Sequence, residues 1–187
     1  MSEKKLDGKV AVITGASKGL GKAMALALAA EGAQIALVSR NIEQLNEVGR
    51  AVKNAGGEAR VFQADVADED QVRKLERDVT GAFGKVHILI NNAGINVRKP
   101  IVEFTLEEWH RVMNTNVTSV FLMCRSFIPH MKGAAYGRII SMTSIMSWVS
   151  LPGRAAYSAS KTALLGVTRA LALELAEDGI TDRKSVV

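Results

Sequence analysis

The sequence predicts an α/β fold in which helices cover both faces of a doubly wound parallel sheet. Five short apolar runs recur with little polar alternation, as in strands buried on both faces. They are KVAVITG (9–15), QIALVSR (34–40), EARVFQAD (58–65), VHILINNAG (86–94) and GRIISMTS (137–144). Stretches with helical apolar spacing separate the runs, such as the one that carries Val72, Leu75 and Val79. Glycines stand where these stretches end, and strand–helix alternation of this kind builds βαβ units.

Length and composition indicate a single globular domain over residues 1–187, with 48% hydrophobic and 23% charged residues. We find no apolar window of the roughly 20 residues that a membrane helix needs. The first nine residues, MSEKKLDGK, lack the apolar core of a secretory signal. The single cysteine, Cys124, is typical of a reducing compartment, so we expect a cytoplasmic protein.

The net charge of +5 does not indicate a nucleic-acid-binding protein, because the basic residues are scattered rather than clustered. A modest positive field equally suits a small molecule that carries phosphates. The three histidines, His87, His110 and His130, share no metal-ligand spacing with one another or with Cys124. We therefore expect no metal site.

The loop TGASKGLG follows the first predicted strand and opens a helix. Gly15 permits a sharp turn off the strand, and Gly19 and Gly21 would let the backbone approach a pyrophosphate closely. The N-terminus of the helix offers unpaired N–H groups and the positive end of its dipole to such an anion. The loop is thus typical of a dinucleotide-binding domain.

The end of the second strand discriminates between the two nicotinamide cofactors. An acidic side chain there would accept a hydrogen bond from the ribose 2′-hydroxyl, but Ser39 and Arg40 occupy these positions. Arg40 could pair with a 2′-phosphate, and Lys18 adds a second cation in the turn. NADP is therefore favoured over NAD. The alternative is that both cations are merely solvated.

Two further motifs follow in order along the chain. NNAG (91–94) ends the fourth predicted strand, at the sheet edge where ligands bind in such folds. In AAYSASKTALLG (155–166), Tyr157 and Lys161 lie four residues apart, so a helix would stack them on one face. A close ammonium favours the phenolate form of a tyrosine, which suits acid–base chemistry.

With TGASKGLG, NNAG and YSASK in this order, the chain resembles the short-chain dehydrogenase/reductase family from about Lys9 to Ile180. Within this family, the motif sequences are most similar to those of bacterial 3-oxoacyl-[acyl-carrier-protein] reductases, gluconate 5-dehydrogenases and glucose dehydrogenases. The resemblance implies a Rossmann-like sheet of strand order 3-2-1-4-5. It also implies hydride transfer between NADP(H) and a ketone or secondary alcohol, of the 3-oxoacyl or sugar and sugar-acid type.

The resemblance also implies residue roles. Tyr157 would be the general acid and base, and Lys161 would assist it and hold the nicotinamide ribose. Ser144 would hydrogen-bond the substrate oxygen, and Asn116 would complete a proton relay through water to Lys161. Asp65 and Val66 would lie near the adenine, and Asn92 near the adenosine ribose. The expected cofactor-binding residues are Gly15, Ser17, Lys18, Gly19, Leu20, Gly21, Arg40, Asp65, Val66, Asn92, Gly94, Tyr157 and Lys161.

The resemblance breaks down at the end of the sequence. Residues 181–187, TDRKSVV, are an atypical tail, and the family's strands six and seven are missing or replaced. We expect the fifth strand to become an exposed edge and the pocket to lack its lid. Two alternatives to an enzyme therefore stay open: an NADP-binding protein with little or no turnover, and a non-enzymatic interaction protein.

Two predicted helices, 106–131 and 155–178, are apolar over much of their circumference. Such helices need covering on several sides, which favours a homo-oligomer, a dimer or a tetramer, formed through them. Candidates for substrate contacts are Asn96, Arg98, Met146, Trp148 and Arg154. They do not identify a substrate.

Overall fold

The computed structural model describes residues 4–134 and 136–185. Six parallel strands form one sheet in the order β3-β2-β1-β4-β5-β6. The strands are β1 (Val10–Thr14), β2 (Gln34–Ser39), β3 (Glu58–Gln63), β4 (Ile88–Asn91), β5 (Gly137–Met142) and β6 (Ile180–Ser185). The predicted doubly wound sheet and its order over the first five strands are confirmed.

Three of the six α-helices that the structure describes begin at a capping side chain that the sequence supplies. The six helices are α1 (Gly19–Ala30), α2 (Ile42–Asn54), α3 (Glu69–Phe83), α4 (Leu106–Met113), α5 (Ser119–Met131) and α6 (Ala155–Glu174). Asn41 accepts from Gln44 N at the start of α2, and Thr105 forms a capping box with Glu108 at the start of α4. The last helix ends at Glu174, four residues before the predicted end at 178.

Two apolar layers cover the two faces of the sheet. One contains Ala25 and Ala29 of α1 together with Leu45 and Val48 of α2. The other contains buried side chains of α3, α5 and α6, among them Phe127, which is fully buried. Alternate residues of each strand contribute to the two layers, so every central strand is buried on both faces, as its apolar sequence predicts.

The expectation that β5 forms the edge of the sheet is wrong. Residues 180–185 pair in parallel with β5 over six positions, from Gly137↔Ile180 to Met142↔Ser185. A short polar segment can form such a strand because the open backbone groups of β5 supply its hydrogen bonds and Ile180 supplies an apolar anchor. Val186 and Val187, the end of the predicted tail, lie outside the described residues.

Several polar side chains are buried on the α5–α6 face of the sheet. Asn91 and Ser141 are register partners on β4 and β5, and Asp182 on β6 pairs with Ile139. Asn91 Oδ1, Ser141 Oγ and both carboxylate oxygens of Asp182 have no hydrogen-bond partner among the described residues. Burial raises the pKa of the Asp182 carboxyl to about 7. This face therefore carries a buried carboxyl group, together with other buried polar side chains, within a largely apolar layer.

Candidate active site

A continuous crevice runs along the carboxyl ends of the strands. Its larger part, about 270 Å³, follows β1, β2 and β3, and its smaller part, about 230 Å³, reaches the start of α6. Asn92, Gly94 and Ile95 border both parts and so connect them. Eleven of the predicted site residues line the crevice: Gly15, Ser17, Lys18, Leu20, Arg40, Asp65, Val66, Asn92, Gly94, Tyr157 and Lys161.

The three glycines of the first turn have different roles. Gly15 adopts φ +63° and Gly19 adopts φ +53°, a conformation that favours glycine. A Cβ on Gly19 would meet nothing within 4 Å, so this position is open to a ligand. A Cβ on Gly21 would overlap the carbonyl oxygen of Gly15. Gly21 is therefore needed for close packing of α1 on the turn, and its predicted approach to a pyrophosphate stays a prediction.

The N-terminus of α1 is suited to bind an anion. The residue before the helix, Lys18, is extended and provides no side-chain cap, and the first turn contains no acidic residue. The first N–H groups of the helix thus keep their capacity to donate, and the helix dipole favours negative charge there. The uncapped turn and the open space at Gly19 fit the pyrophosphate of a dinucleotide.

Thr14, which the sequence analysis missed, holds the NNAG turn in place. Its hydroxyl accepts from the backbone N–H groups of Asn92 at 2.9 Å and Ala93 at 3.0 Å, and donates to Ile90 O at 3.3 Å. Asn92 Nδ2 donates to the carbonyls of Thr14 and Gly15. The signal in the sequence is a hydroxyl at the last position of a buried strand. Asn92 therefore connects the two motifs through its side chain.

At the end of β2, the side chains form two polar pairs. Ser39 Oγ donates to Ser17 Oγ at 3.1 Å. Arg40, 69% exposed, places Nη1 at 3.5 Å from Asp65 Oδ2. Arg40, Asp65 and Ser39 all line the larger part of the crevice. The guanidinium predicted to meet a 2′-phosphate thus already has an anionic neighbour.

Tyr157 and Lys161 lie on one face of α6 and border the smaller part of the crevice. Lys161 Nζ lies 5.7 Å from the centroid of the Tyr157 ring and donates to Met142 O at 2.6 Å. The lysine is buried, and this burial lowers the pKa of its ammonium to about 8. The expected arrangement, a phenol beside a cation in the crevice, is present in the geometry.

Asn116 lies behind the crevice in a π-helical turn, Asn114–Thr118, that joins α4 to α5. Its Oδ1 accepts from Ile95 N at 2.8 Å, and its Nδ2 donates to Ile95 O at 2.9 Å. Nδ2 also donates to Ser160 Oγ at 2.9 Å, and Ser160 donates to Tyr157 O at 2.7 Å. Asn116 therefore connects the loop after β4, through Ile95, to the start of α6, through Ser160 and Tyr157. Ser160 is a second residue that the sequence analysis missed.

Ser144 is buried just after β5. Its Oγ accepts from Met146 N at 3.3 Å, and its backbone N–H donates to Ser147 Oγ at 3.4 Å. The preceding Thr143 lines the crevice and binds Ser185 O through both N–H (2.8 Å) and Oγ1 (2.9 Å). The last strand thus holds the segment that carries Ser144.

Two further findings concern only the residues that the structure describes. In residues 4–134 and 136–185 no group of three or more His, Cys, Asp or Glu side chains could hold a metal ion. Within the same ranges, no helix is long and apolar enough to cross a membrane.

The sequence over residues 9–182 matches the family model described as short chain dehydrogenase. A 3-oxoacyl-[acyl-carrier-protein] reductase from Synechocystis sp. is 38% identical over 177 residues, which are 94% of this chain and 72% of the relative. A 3beta-hydroxysteroid dehydrogenase from Mediterraneibacter gnavus is 35% identical over 178 residues, 95% of this chain but 64% of the relative. The chain therefore belongs to the short-chain dehydrogenase family of oxidoreductases. It spans about two thirds of the length of these two relatives.

A solved structure of a gluconate 5-dehydrogenase from Burkholderia cenocepacia, in complex with NADP and tartrate, is 33% identical and superimposes with a TM-score of 0.92. The match covers 98% of this chain and 72% of that structure. The recognised resemblance and the Rossmann-like fold are confirmed.

Proposed function

We propose that this chain transfers a hydride between NADP(H) and a ketone or secondary alcohol of the 3-oxoacyl or sugar and sugar-acid type. The observation that carries the proposal is that Tyr157 and Lys161 line the same crevice as the glycine turn of Gly15 and Lys18. Asn92 and Gly94 border both parts of that crevice, so one elongated ligand can contact the turn and the phenol together.

The residues present fit a dinucleotide. The uncapped start of α1 would hold the pyrophosphate, and Asp65 and Val66 would border the adenine. Ser39, Arg40 and Lys18 offer donors to a 2′-phosphate, with no acidic residue at the last position of β2. When bound, the nicotinamide ring supplies or accepts the hydride.

Tyr157 would donate its phenolic proton to the carbonyl oxygen during reduction and accept the proton of the alcohol during oxidation. Lys161 supports this role by placing a positive charge 5.7 Å from the centroid of the Tyr157 ring. Because burial lowers the pKa of the ammonium only to about 8, the lysine is still mostly protonated at pH 7. Its bond to Met142 O fixes the charge beside the ring.

Ser144 would stabilise the substrate oxygen by donating its hydroxyl hydrogen, which has no acceptor among the described residues. Asn116 uses its side chain to fix Ile95 and Ser160, so we propose that it positions the crevice wall and the first turn of α6. The water-mediated relay from Asn116 to Lys161 stays a prediction, as does the cytoplasmic location.

The proposal is tested by titrating the chain with NADPH and NADH and then assaying turnover with 3-oxoacyl thioesters, sugar ketones and the matching alcohols. We expect NADPH to bind more tightly than NADH, and at least one substrate class to be turned over. Tighter binding of NADH would reject the cofactor assignment. Binding of NADPH without turnover would support the non-catalytic alternative, and no binding of either nucleotide would support an interaction protein.

We further propose that the chain forms a homo-oligomer through the region 106–131 and helix α6. The fold buries Leu164, Leu165 and Phe127, but it leaves Phe121 52% and Leu173 82% exposed. Large apolar side chains that a fold leaves exposed are typical of subunit interfaces.

Light scattering coupled to size-exclusion chromatography is expected to give a mass above one chain at micromolar concentration. Phe121→Glu and Leu173→Glu should each shift the mass towards that of a monomer, because a charge would be buried in the interface. Val102→Glu is the matched control, since Val102 is 89% exposed and lies outside both helices. A monomeric wild-type chain would reject the proposal.

A further inference from the structure

Asp65 places a carboxylate inside the larger part of the crevice. Its Oδ1 accepts from Ala67 N at 3.0 Å, and its own N–H donates to Gln71 Oε1 at 2.9 Å. The residue directly follows Ala64, which is buried after β3. The bond from Ala67 N holds Oδ1 of the carboxylate and the bond to Gln71 holds the Asp65 backbone, while Oδ2 lies 3.5 Å from Arg40 Nη1.

The backbone of Arg40 is fixed by a hydrogen bond, but its side chain is mostly exposed to solvent. Its carbonyl accepts from Gln63 Nε2 at 2.9 Å, but its guanidinium is largely exposed and faces Asp65 Oδ2 at 3.5 Å. The hydroxyls of Ser17 and Ser39 line the same part of the crevice. A phosphate placed among these donors would share Arg40 with the carboxylate and would lie within a few ångströms of a like charge.

We propose that Asp65 determines how strongly the crevice discriminates between NADP and NAD, because it competes with the 2′-phosphate for Arg40 and repels it. This inference rests on the proposed function. A 2′-hydroxyl carries no charge and is not repelled, so the carboxylate lowers the affinity for NADP selectively. The carboxylate of Asp65 thus weakens the preference for NADP over NAD that Arg40 creates.

The ratio of the dissociation constants of NADH and NADPH tests the inference, measured by calorimetric titration without any substrate. Asp65→Asn keeps an oxygen for Ala67 N, removes the charge and replaces the second carboxylate oxygen by an amide group that donates hydrogen bonds. We expect the variant to bind NADPH about five- to tenfold more tightly, which is the size of effect of a solvent-screened charge pair. Its affinity for NADH should change by less than about twofold. Asp70→Asn is the matched control, because this exposed residue of α3 carries the same charge outside the crevice.

A double-mutant cycle separates competition from other effects. Arg40→Gln alone should weaken NADPH binding. In the Arg40→Gln background, Asp65→Asn should improve the NADPH affinity less than in the wild-type chain, because only the direct repulsion is left to remove. Higher ionic strength should reduce the effect of Asp65→Asn.

The outcomes distinguish this inference from the proposed function. If the wild-type chain binds neither nucleotide, both are refuted. If both nucleotides bind and Asp65→Asn changes the two affinities equally, Asp65 serves the adenine alone and only the inference is refuted. An equal gain in NADPH affinity with and without Arg40 would also overturn it, because the carboxylate would then not compete for the guanidinium.

Discussion

Tyr157→Phe is expected to reduce turnover roughly a thousandfold and to leave NADPH binding within about twofold of the wild-type chain. The phenylalanine keeps the ring that borders the crevice and the helical backbone around it. It removes only the hydroxyl that would exchange a proton with the substrate oxygen. Steady-state rates with the best substrate of the panel, together with nucleotide titration, measure the two effects separately.

Tyr136→Phe provides the control for this prediction. Tyr136 is the other tyrosine of the chain, and its ring packs between Lys9 and Arg138, away from the crevice. Its variant should keep wild-type turnover. Comparable rates for Tyr157→Phe and the wild-type chain would contradict the role of Tyr157, and equal losses in both variants would indicate a general structural effect.

Asp182→Asn is expected to stabilise the chain, and to do so more strongly at pH 8 than at pH 5. The unfolded carboxyl releases its proton near pH 3.8, whereas burial raises the pKa of the folded group to about 7. Between these values the folded state binds more protons, so the wild-type free energy of unfolding falls as the pH rises from about 4 to about 7. Above pH 7 the full cost of a buried, unpaired carboxylate remains.

Urea unfolding at the two pH values measures this difference. The stabilisation by Asp182→Asn should be about 2 kcal/mol larger at pH 8 than at pH 5. The neighbouring Cys124 thiol does not contribute to the change, because burial raises its pKa to about 12. Asp178→Asn, which removes a surface ion pair with Lys132, should change stability by less than about 1 kcal/mol. A pH-independent effect of Asp182→Asn would show that its carboxyl is solvated.

The sequence was sufficient to predict the first five strands from their apolar runs. The clearest is β1, whose five residues are all buried, whereas β3 at the edge of the sheet keeps exposed polar residues. The sequence also predicted most of the crevice, since residues that follow β1, β2 and β4 must meet at one edge of a parallel sheet. The strand that pairs with β5 was not predictable from TDRKS, which has no apolar run. Its pairing partner, rather than its own composition, makes it a strand.

The contacts within the site were less accessible to sequence reasoning. The π-helical turn Asn114–Thr118 lies within the single helix, 106–131, that the sequence predicts, and its polar residues do not signal the change of hydrogen bonding. The bond from Ser160 to Asn116 joins residues 44 positions apart. The pairing of Arg40 with Asp65 depends on how β2 and β3 align, which spacing alone does not give.

The two parts of the crevice are lined by residues from different regions of the sequence. Every residue that lines its larger part occurs at or before Thr115, whereas Met142, Thr143, Tyr157 and Lys161 of the smaller part come later. The residues that we propose bind the nucleotide therefore lie mostly in the earlier part of the sequence, and those that we propose exchange the proton lie in the later part. We therefore expect that disruption of the C-terminal strand, which holds the segment that carries Ser144, reduces turnover more than it reduces nucleotide binding.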